Sequence, residues 1–140
     1  MSTRSRIGIE LSDGSILSAY HQSDGYPEWL GRILQTHYTT KELVTELIDG
    51  GDMSCCWTDQ RWTYEGERIQ VEEYGPQYYV RKDDGECPPR LDKNLNEFFS
   101  NGEEYSYIFR NGHWYAFDMH QFEDHIAPER VEIPAGALAV

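Results

Sequence analysis

Four side chains of the types that bind metal ions lie close together near the C-terminal end of the sequence: His120, Glu123, Asp124 and His125. Zinc is held in proteins by imidazole and carboxylate groups of this kind. A helical zinc site of the metalloprotease type needs two histidines one turn apart, so that both lie on one face of the helix. The two histidines here are five positions apart and diverge. We therefore expect a solvated polar segment and no metal site.

The sequence contains no motif of a known nucleophilic enzyme. A thiol nucleophile needs a base that lowers its pKa, and no pattern ties a histidine to the adjacent Cys55 and Cys56 or to Cys87. The motifs of serine hydrolases, P-loop enzymes and dinucleotide-binding folds are also missing from the sequence. We expect buried, inert thiols, no cofactor and no enzymatic activity. A small hydrolase or transferase of unfamiliar type is the alternative.

Acidic side chains are concentrated in the middle of the chain. The formal net charge is -13, and residues 41–104 hold sixteen acidic and seven basic side chains. Such a charge repels nucleic acid and membranes and attracts basic protein surfaces. Duplex DNA carries a negative charge about every 1.7 Å along its axis, so a rigid acidic face can compete for a basic nucleic-acid-binding groove. Simple solubility is the alternative explanation.

Aromatic side chains are interspersed among these acids, and such residues dominate the binding energy of protein interfaces. We predict a surface that binds a partner protein with a basic face, with a homo-oligomer as a further alternative. The alternative is an ordinary solvated surface. The residues of the predicted surface are Trp57, Trp62, Glu65, Glu67, Glu72, Glu73, Tyr78, Tyr79, Asp83, Asp84, Glu86, Glu103 and Glu104.

A second candidate site lies near the N-terminus, where Arg4 and Arg6 are interspersed with hydroxyl side chains. Guanidinium and hydroxyl groups suit the recognition of phosphate or carboxylate. His21, Asp24 and Tyr26 cluster where the first predicted hairpin ends. Together these five residues predict, as an alternative function, a protein that sequesters a small anionic signal such as a nucleotide. An exposed terminus and ordinary turn chemistry explain the same residues without a ligand.

Hydrophobic periodicity predicts the elements that position these residues. Residues 6–12 and 15–21 alternate around Asp13-Gly14, which is typical of a β-hairpin. Two helices are predicted at about 27–37 and 40–50, the first beginning at Pro27 and the second capped by Thr39 and Glu42. Residues 57–64, 68–74 and 77–82 read as strands, and residues 104–117 as a hairpin around Asn111-Gly112. Asp92 is expected to cap a short helix between them.

We therefore expect one α+β domain over residues 1–128, with a loosely ordered tail at 129–140. Its sheet is predicted to be antiparallel, with about five to seven strands and the two helices packed on one face. No apolar run approaches the roughly 20 residues that span a bilayer. No signal-peptide pattern follows the first arginines, and the odd number of cysteines suits a reducing compartment. We expect a cytoplasmic protein.

The first 52 residues contain a distinctive series of short motifs. They begin with Ser2-Thr3-Arg4-Ser5-Arg6-Ile7-Gly8, Asp13-Gly14-Ser15-Ile16, Tyr20-His21 and Asp24-Gly25-Tyr26-Pro27-Glu28. Gly31, Leu34, Tyr38, Leu47-Ile48 and Gly51-Asp52 complete the series. This series resembles a group of small uncharacterised proteins from bacteriophages and bacterial mobile elements. Ser23 departs from it, since a tryptophan is expected before Asp24. The resemblance covers a little over a third of the chain. It implies a phage-type origin, but no known activity of those proteins can be assigned to this chain from it.

Small acidic phage proteins often act by occupying a host protein such as a nuclease, a polymerase or a defence complex. This argument rests on the phage origin and not on the fold of the protein. The resemblance therefore implies, together with the charge, a non-enzymatic protein of the anti-CRISPR or DNA-mimic type. We expect such a protein to bind and block a host protein in the host cytoplasm, with no direct contact to nucleic acid or membrane.

Overall fold

The computed structural model describes residues 3–63, 65–79, 87–120 and 127–136. The chain is an α+β protein, as predicted. Three α-helices lie in the described ranges: α1 (Arg32–His37), α2 (Lys41–Asp49) and α3 (Leu95–Phe99). A single wide turn of π type, Pro27–Gly31, leads directly into α1. The strands are β1 (Ser5–Glu10), β2 (Ile16–His21), β3 (Met53–Trp62), β4 (Arg68–Tyr78), β5 (Arg90–Asp92), β6 (Tyr105–Arg110), β7 (His113–Asp118) and β8 (Glu129–Val131).

The eight described strands form one mixed sheet with the order β4-β3-β2-β1-β6-β7-β8, and β5 pairs with β2. β1 is parallel to β6, with Ser5 opposite Tyr105, and β2 is parallel to β3 where His21 meets Met53. The sheet is therefore mixed, and the prediction of an antiparallel sheet is wrong. Seven strands follow one another in the sheet order and β5 is the eighth, where about five to seven were predicted. Turn signals specify the direction of local pairs only, whereas β1 and β6 are separated by a hundred positions in the chain.

The two predicted hairpins are confirmed, and each has a turn that its sequence explains. In the β1–β2 turn, the Asp13 carboxylate accepts hydrogen bonds from the backbone N–H and the hydroxyl of Ser15. In the β6–β7 turn, Asn111 and Gly112 both have positive φ, at 51° and 80°. A two-residue turn of type I′ requires this conformation at both positions, and Asn-Gly adopts it readily.

Helices α1 and α2 cover the face of the sheet that carries Ile7 and Ile9. Val44, Leu47 and Ile48 form the buried stripe of α2, at the spacing of an amphipathic helix. Each fully buried side chain of this size stabilises the fold by roughly 1.5–3 kcal/mol. The cap of α2 lies one residue later than predicted, because the Thr40 side chain accepts from the N–H of Leu43.

Helices α1 and α2 share one face of the sheet, as predicted, and α3 adds a third helix that covers the opposite face. Phe98 lies against Gly8, where an added Cβ would lie 3.1 Å from the phenyl ring. Asn94, not Asp92, caps this helix by accepting from the N–H of Glu97. Asp92 instead ends β5 and forms an ion pair with Arg90. The centre of the sheet is thus covered on both faces.

Part of the segment expected to be a loose tail pairs with the sheet. Glu129–Val131 forms β8 along the edge of β7. Ile133 then packs so closely on Gly31 that a Cβ there would lie 2.8 Å from its side chain. None of the described helices is long and apolar enough to cross a membrane.

Candidate interaction surface

Strands β3 and β4 form a long hairpin that extends beyond the rest of the sheet. β3 pairs with β2 at His21 and Met53, and two further backbone hydrogen bonds join Gln22 and Ser23 to the start of β3. Beyond these positions, the described residues of β3 pair only with β4. We call residues 55–63 and 65–77 the β3–β4 arm. Because β4 is the last strand in the sheet order, the arm is an edge of the molecule.

A large β-bulge interrupts the arm. Thr58 pairs with Gly75 and Gln60 pairs with Gln70, so Asp59 alone lies opposite the four residues 71–74 of β4. Extra residues in one strand bend it and change the direction of its side chains. We call residues 71–74 the acidic bulge, because Glu72 and Glu73 are both exposed within it.

The guanidinium of Arg61 holds the acidic bulge in place from the facing strand. Its Nη1 donates to the carbonyl oxygens of Thr58 at 2.7 Å and of Gln60 at 2.8 Å, and its Nη2 donates to the carbonyl oxygen of Glu73 at 3.4 Å. Gly75 makes room for this side chain, since a Cβ there would lie 3.0 Å from Nη2. The Arg61 guanidinium therefore stabilises the backbone of the arm.

Four exposed carboxylates line the arm: Glu65, Glu67, Glu72 and Glu73. None of the ion pairs within the described part of the chain involves them. Their charges therefore face solvent, where they attract a cationic surface at distances of about one Debye length, ~10 Å at 0.1 M salt.

A row of stacked rings joins the arm to helix α1. The Trp57 ring stacks on His37, with centroids 3.7 Å apart and planes 12° apart, and on Tyr74, with centroids 5.6 Å apart. Tyr38 meets the same indole edge-on and donates its hydroxyl hydrogen to the carbonyl of Cys56. Tyr74 is the outermost ring and is 42% exposed. Among the described side chains of the arm, it is an aromatic ring that a partner can reach.

The residues predicted for a partner surface are only partly brought together. Trp57 and the four glutamates named above lie on the arm, but Trp57 is half-buried under Tyr74. Trp62 belongs to β3, and its side chain lies outside the described part of the structure, as do Asp83, Asp84 and Glu86. Tyr74 is not among the residues predicted for this surface, because its exposure depends on the bulge and no sequence pattern predicts the bulge.

Tyr78 and Tyr79, also predicted for this surface, have different surroundings. The Tyr78 hydroxyl donates to the carbonyl of Leu47 at 2.6 Å and so joins β4 to the end of α2. Burial raises the pKa of Tyr78 to about 12. Tyr79 is 38% exposed, and its N–H donates to the carbonyl of Asp52. Tyr78 is therefore a packing residue, and Tyr79 lies beyond the base of the arm.

Glu103 and Glu104 lie next to the start of β1, away from the arm. The Glu104 carboxylate accepts from the backbone N–H of Arg4 at 2.8 Å. Burial raises the pKa of the Glu103 carboxyl, although Arg4 and Arg6 nearby oppose this change. These two acids belong to a mixed group of charges on the face of the sheet covered by α3.

The five residues of the predicted anion site do not converge. Arg6 lies opposite Tyr20 in the β1–β2 pair, so it points to the opposite face from His21. The Arg6 guanidinium is buried and donates to the Ser18 hydroxyl at 2.7 Å. Its pKa is lowered by burial and by Arg90. The sheet therefore separates Arg4 and Arg6 from His21.

Asp24 and Tyr26 form the turn that leads into the helices. Asp24 has a φ of 49°, a conformation that aspartate tolerates better than most residues. The carbonyl of Tyr26 accepts from the N–H groups of Trp29 and Leu30. Both residues therefore have roles in an ordinary turn, which explains them without a ligand.

The thiols of Cys55 and Cys56 lack the features of a nucleophile. Burial raises the pKa of both, and Cys56 is completely buried. Within the described residues, no three His, Cys, Asp or Glu side chains are placed to hold a metal ion. Glu123, Asp124 and His125 of the cluster considered above lie outside those residues.

Comparison of the chain with protein-family models, curated proteins and solved structures finds no match.

Proposed function

We propose that this chain is a non-enzymatic binding protein that uses the β3–β4 arm to occupy a basic surface of a host protein. The observation that carries the proposal is the acidic bulge. It presents Glu72 and Glu73 beside the exposed ring of Tyr74, on an arm whose other exposed acids are Glu65 and Glu67. This combination of a reachable aromatic ring and an excess of negative charge is typical of a protein-binding surface.

The charges and the ring have separate roles in this proposal. The glutamates attract a cationic partner and raise the rate of encounter, which is what complementary charge contributes most to binding. Tyr74 gives a buried contact once the partner has docked, and the Trp57 ring beneath it fixes its orientation. Because His37 and Trp57 already hold the row of rings in place, less conformational entropy is lost on binding.

The class of partner follows from the chemistry of the arm. A surface rich in carboxylates matches a site that normally binds the phosphates of a nucleic acid. We therefore infer that the partner is a nucleic-acid-binding protein, such as a nuclease, a polymerase or a defence complex, and that binding blocks its site. The resemblance of the first 52 residues to phage proteins is consistent with such a host target.

The first experiment is capture of tagged protein with its bound partners from a nuclease-treated host lysate. Capture is carried out at about 0.1 M and about 1 M salt, where the screening length is about 10 Å and about 3 Å. We expect a basic protein that is retained at low salt and lost at high salt. A failure to retain any basic protein at low salt contradicts the proposal.

Charge reversal then separates the arm from the net charge of the chain. We expect the double variant Glu72→Lys with Glu73→Lys to lose the partner. The matched control is Glu42→Lys with Glu46→Lys, which changes the same charge at exposed positions of α2. The control is expected to retain the partner. Equal loss in both variants would assign the effect to net charge and overturn the role of the arm.

A further inference from the structure

A groove lies on the face of the sheet that carries α3, between this helix and strands β6, β7 and β8. Its volume is about 360 Å³. Five apolar or aromatic side chains and two arginines line it. The apolar and aromatic residues are Leu95, Phe99, Ile108, Tyr115 and Phe117. Sites for small molecules have this volume and this mostly apolar lining, with a few polar groups that fix the orientation of the ligand.

The packing of the groove walls makes it a preformed site. The Phe99 and Phe117 rings meet edge-to-face, with centroids 4.9 Å apart. Register places Ile108 opposite Tyr115 and Phe117 opposite Arg130, so these side chains share one face of the sheet. The floor therefore consists of strand residues that cannot move independently.

The two arginines give the groove a charge opposite to that of the protein. Residues 105–140 contain five acidic side chains and only two basic ones, Arg110 and Arg130. Both line this groove. Arg110 forms an ion pair with Glu10 on one side. Arg130 lies over the ring of Tyr115, 5.2 Å from its centroid, and none of the ion pairs among the described residues involves it.

We propose that this groove binds a small molecule that has a planar apolar body and one carboxylate, sulfonate or phosphate group. The body lies against Leu95 and Phe117, and the anion binds Arg130, with Arg110 beside it. An anionic group pairs with a guanidinium through charge-assisted hydrogen bonds, which are stronger than neutral ones. β8 and β4 lie at opposite ends of the sheet. Binding at the groove can therefore be refuted without refuting the role proposed for the arm, and the reverse also holds.

The test uses two fluorescent probes of similar shape that differ in charge. Anilinonaphthalene sulfonate carries one anion on a planar aromatic body, and N-phenylnaphthylamine lacks the anion. We expect the purified chain to bind the sulfonate at one saturable site. The variant Arg130→Gln should bind it about tenfold less tightly, as the loss of one charged hydrogen bond predicts. Binding of the neutral probe should change less than about twofold.

Two further variants make the test specific. Lys41→Gln removes one positive charge on α2 and should leave the affinity for the sulfonate unchanged. Leu95→Trp fills the groove and should abolish binding of both probes, while circular dichroism confirms that the variant is folded. Unchanged sulfonate affinity in Arg130→Gln, an equal loss in Lys41→Gln, or probe binding that survives Leu95→Trp would each overturn the proposal.

Discussion

The Nε2 atom of His21 accepts a hydrogen bond from the backbone N–H of Cys56, at a donor–acceptor distance of 3.0 Å. This contact joins the end of β2 to β3 near the base of the arm. The imidazole is completely buried, and its Nδ1 has no partner within the described residues. Burial lowers the pKa of His21 to about 3. The neutral form is therefore the one that supports the fold.

We predict from this contact that stability falls in acid. The unfolded chain takes up a proton on His21 near pH 6.5, whereas the folded chain does so only near pH 3. The contribution of neutral His21 to the free energy of unfolding is therefore fully present above about pH 6.5. It falls by about 1.4 kcal/mol per pH unit as the pH falls toward 3. Urea unfolding at several pH values measures the slope. His21→Gln, which keeps an acceptor but does not titrate, should flatten it by this amount, and an unchanged slope would refute the assignment.

A second prediction concerns the cap of α2. Thr40→Ala removes the side-chain oxygen that accepts from Leu43, so it should lower the free energy of unfolding by about 1 kcal/mol. Thr39→Ala is the matched control at the neighbouring exposed position, and it should change stability by less than about 0.5 kcal/mol. Urea denaturation compares the two variants. A larger loss of stability in Thr39→Ala than in Thr40→Ala would instead assign the cap to Thr39, as the sequence predicts.

The local elements of this fold could be predicted from the sequence because their signals are local. Asp13-Gly14 and Asn111-Gly112 specify their turns through backbone conformation, and the stripe of Val44, Leu47 and Ile48 specifies an amphipathic helix. The parallel pairing of β1 with β6 could not be predicted, because it joins segments a hundred positions apart. The hairpin turns specify antiparallel pairing only between neighbouring strands.

The candidate surface was predicted by composition and only partly by position. Acidic side chains stay exposed wherever their strand lies, so the exposure of the four glutamates of the arm can be predicted from their residue type. The roles of the rings depend on packing: Trp57 stacks on His37, and Tyr78 bonds to the carbonyl of Leu47, so neither is an exposed anchor. The exposure of Tyr74 depends on the register shift at the bulge.

A third prediction concerns the stability of the acidic bulge. Arg61→Lys keeps the charge but cannot reach three carbonyl groups with a planar fork of donors. We expect amide hydrogen exchange of residues 71–75 to become about tenfold faster, as the loss of about 1.4 kcal/mol predicts. The amides of β1 and β6 serve as the internal control and should not change. Equal acceleration throughout the sheet would mean that Arg61 supports the fold in general and not the bulge.

The salt dependence of binding tests the central proposal most directly, once the partner has been captured. We predict that the affinity of the wild-type chain falls steadily between about 0.1 M and about 1 M salt, and that Glu72→Gln with Glu73→Gln both weakens binding at low salt and reduces this dependence. An affinity that is the same at low and high salt, in the wild-type chain and in the variant alike, would contradict binding through the acidic arm.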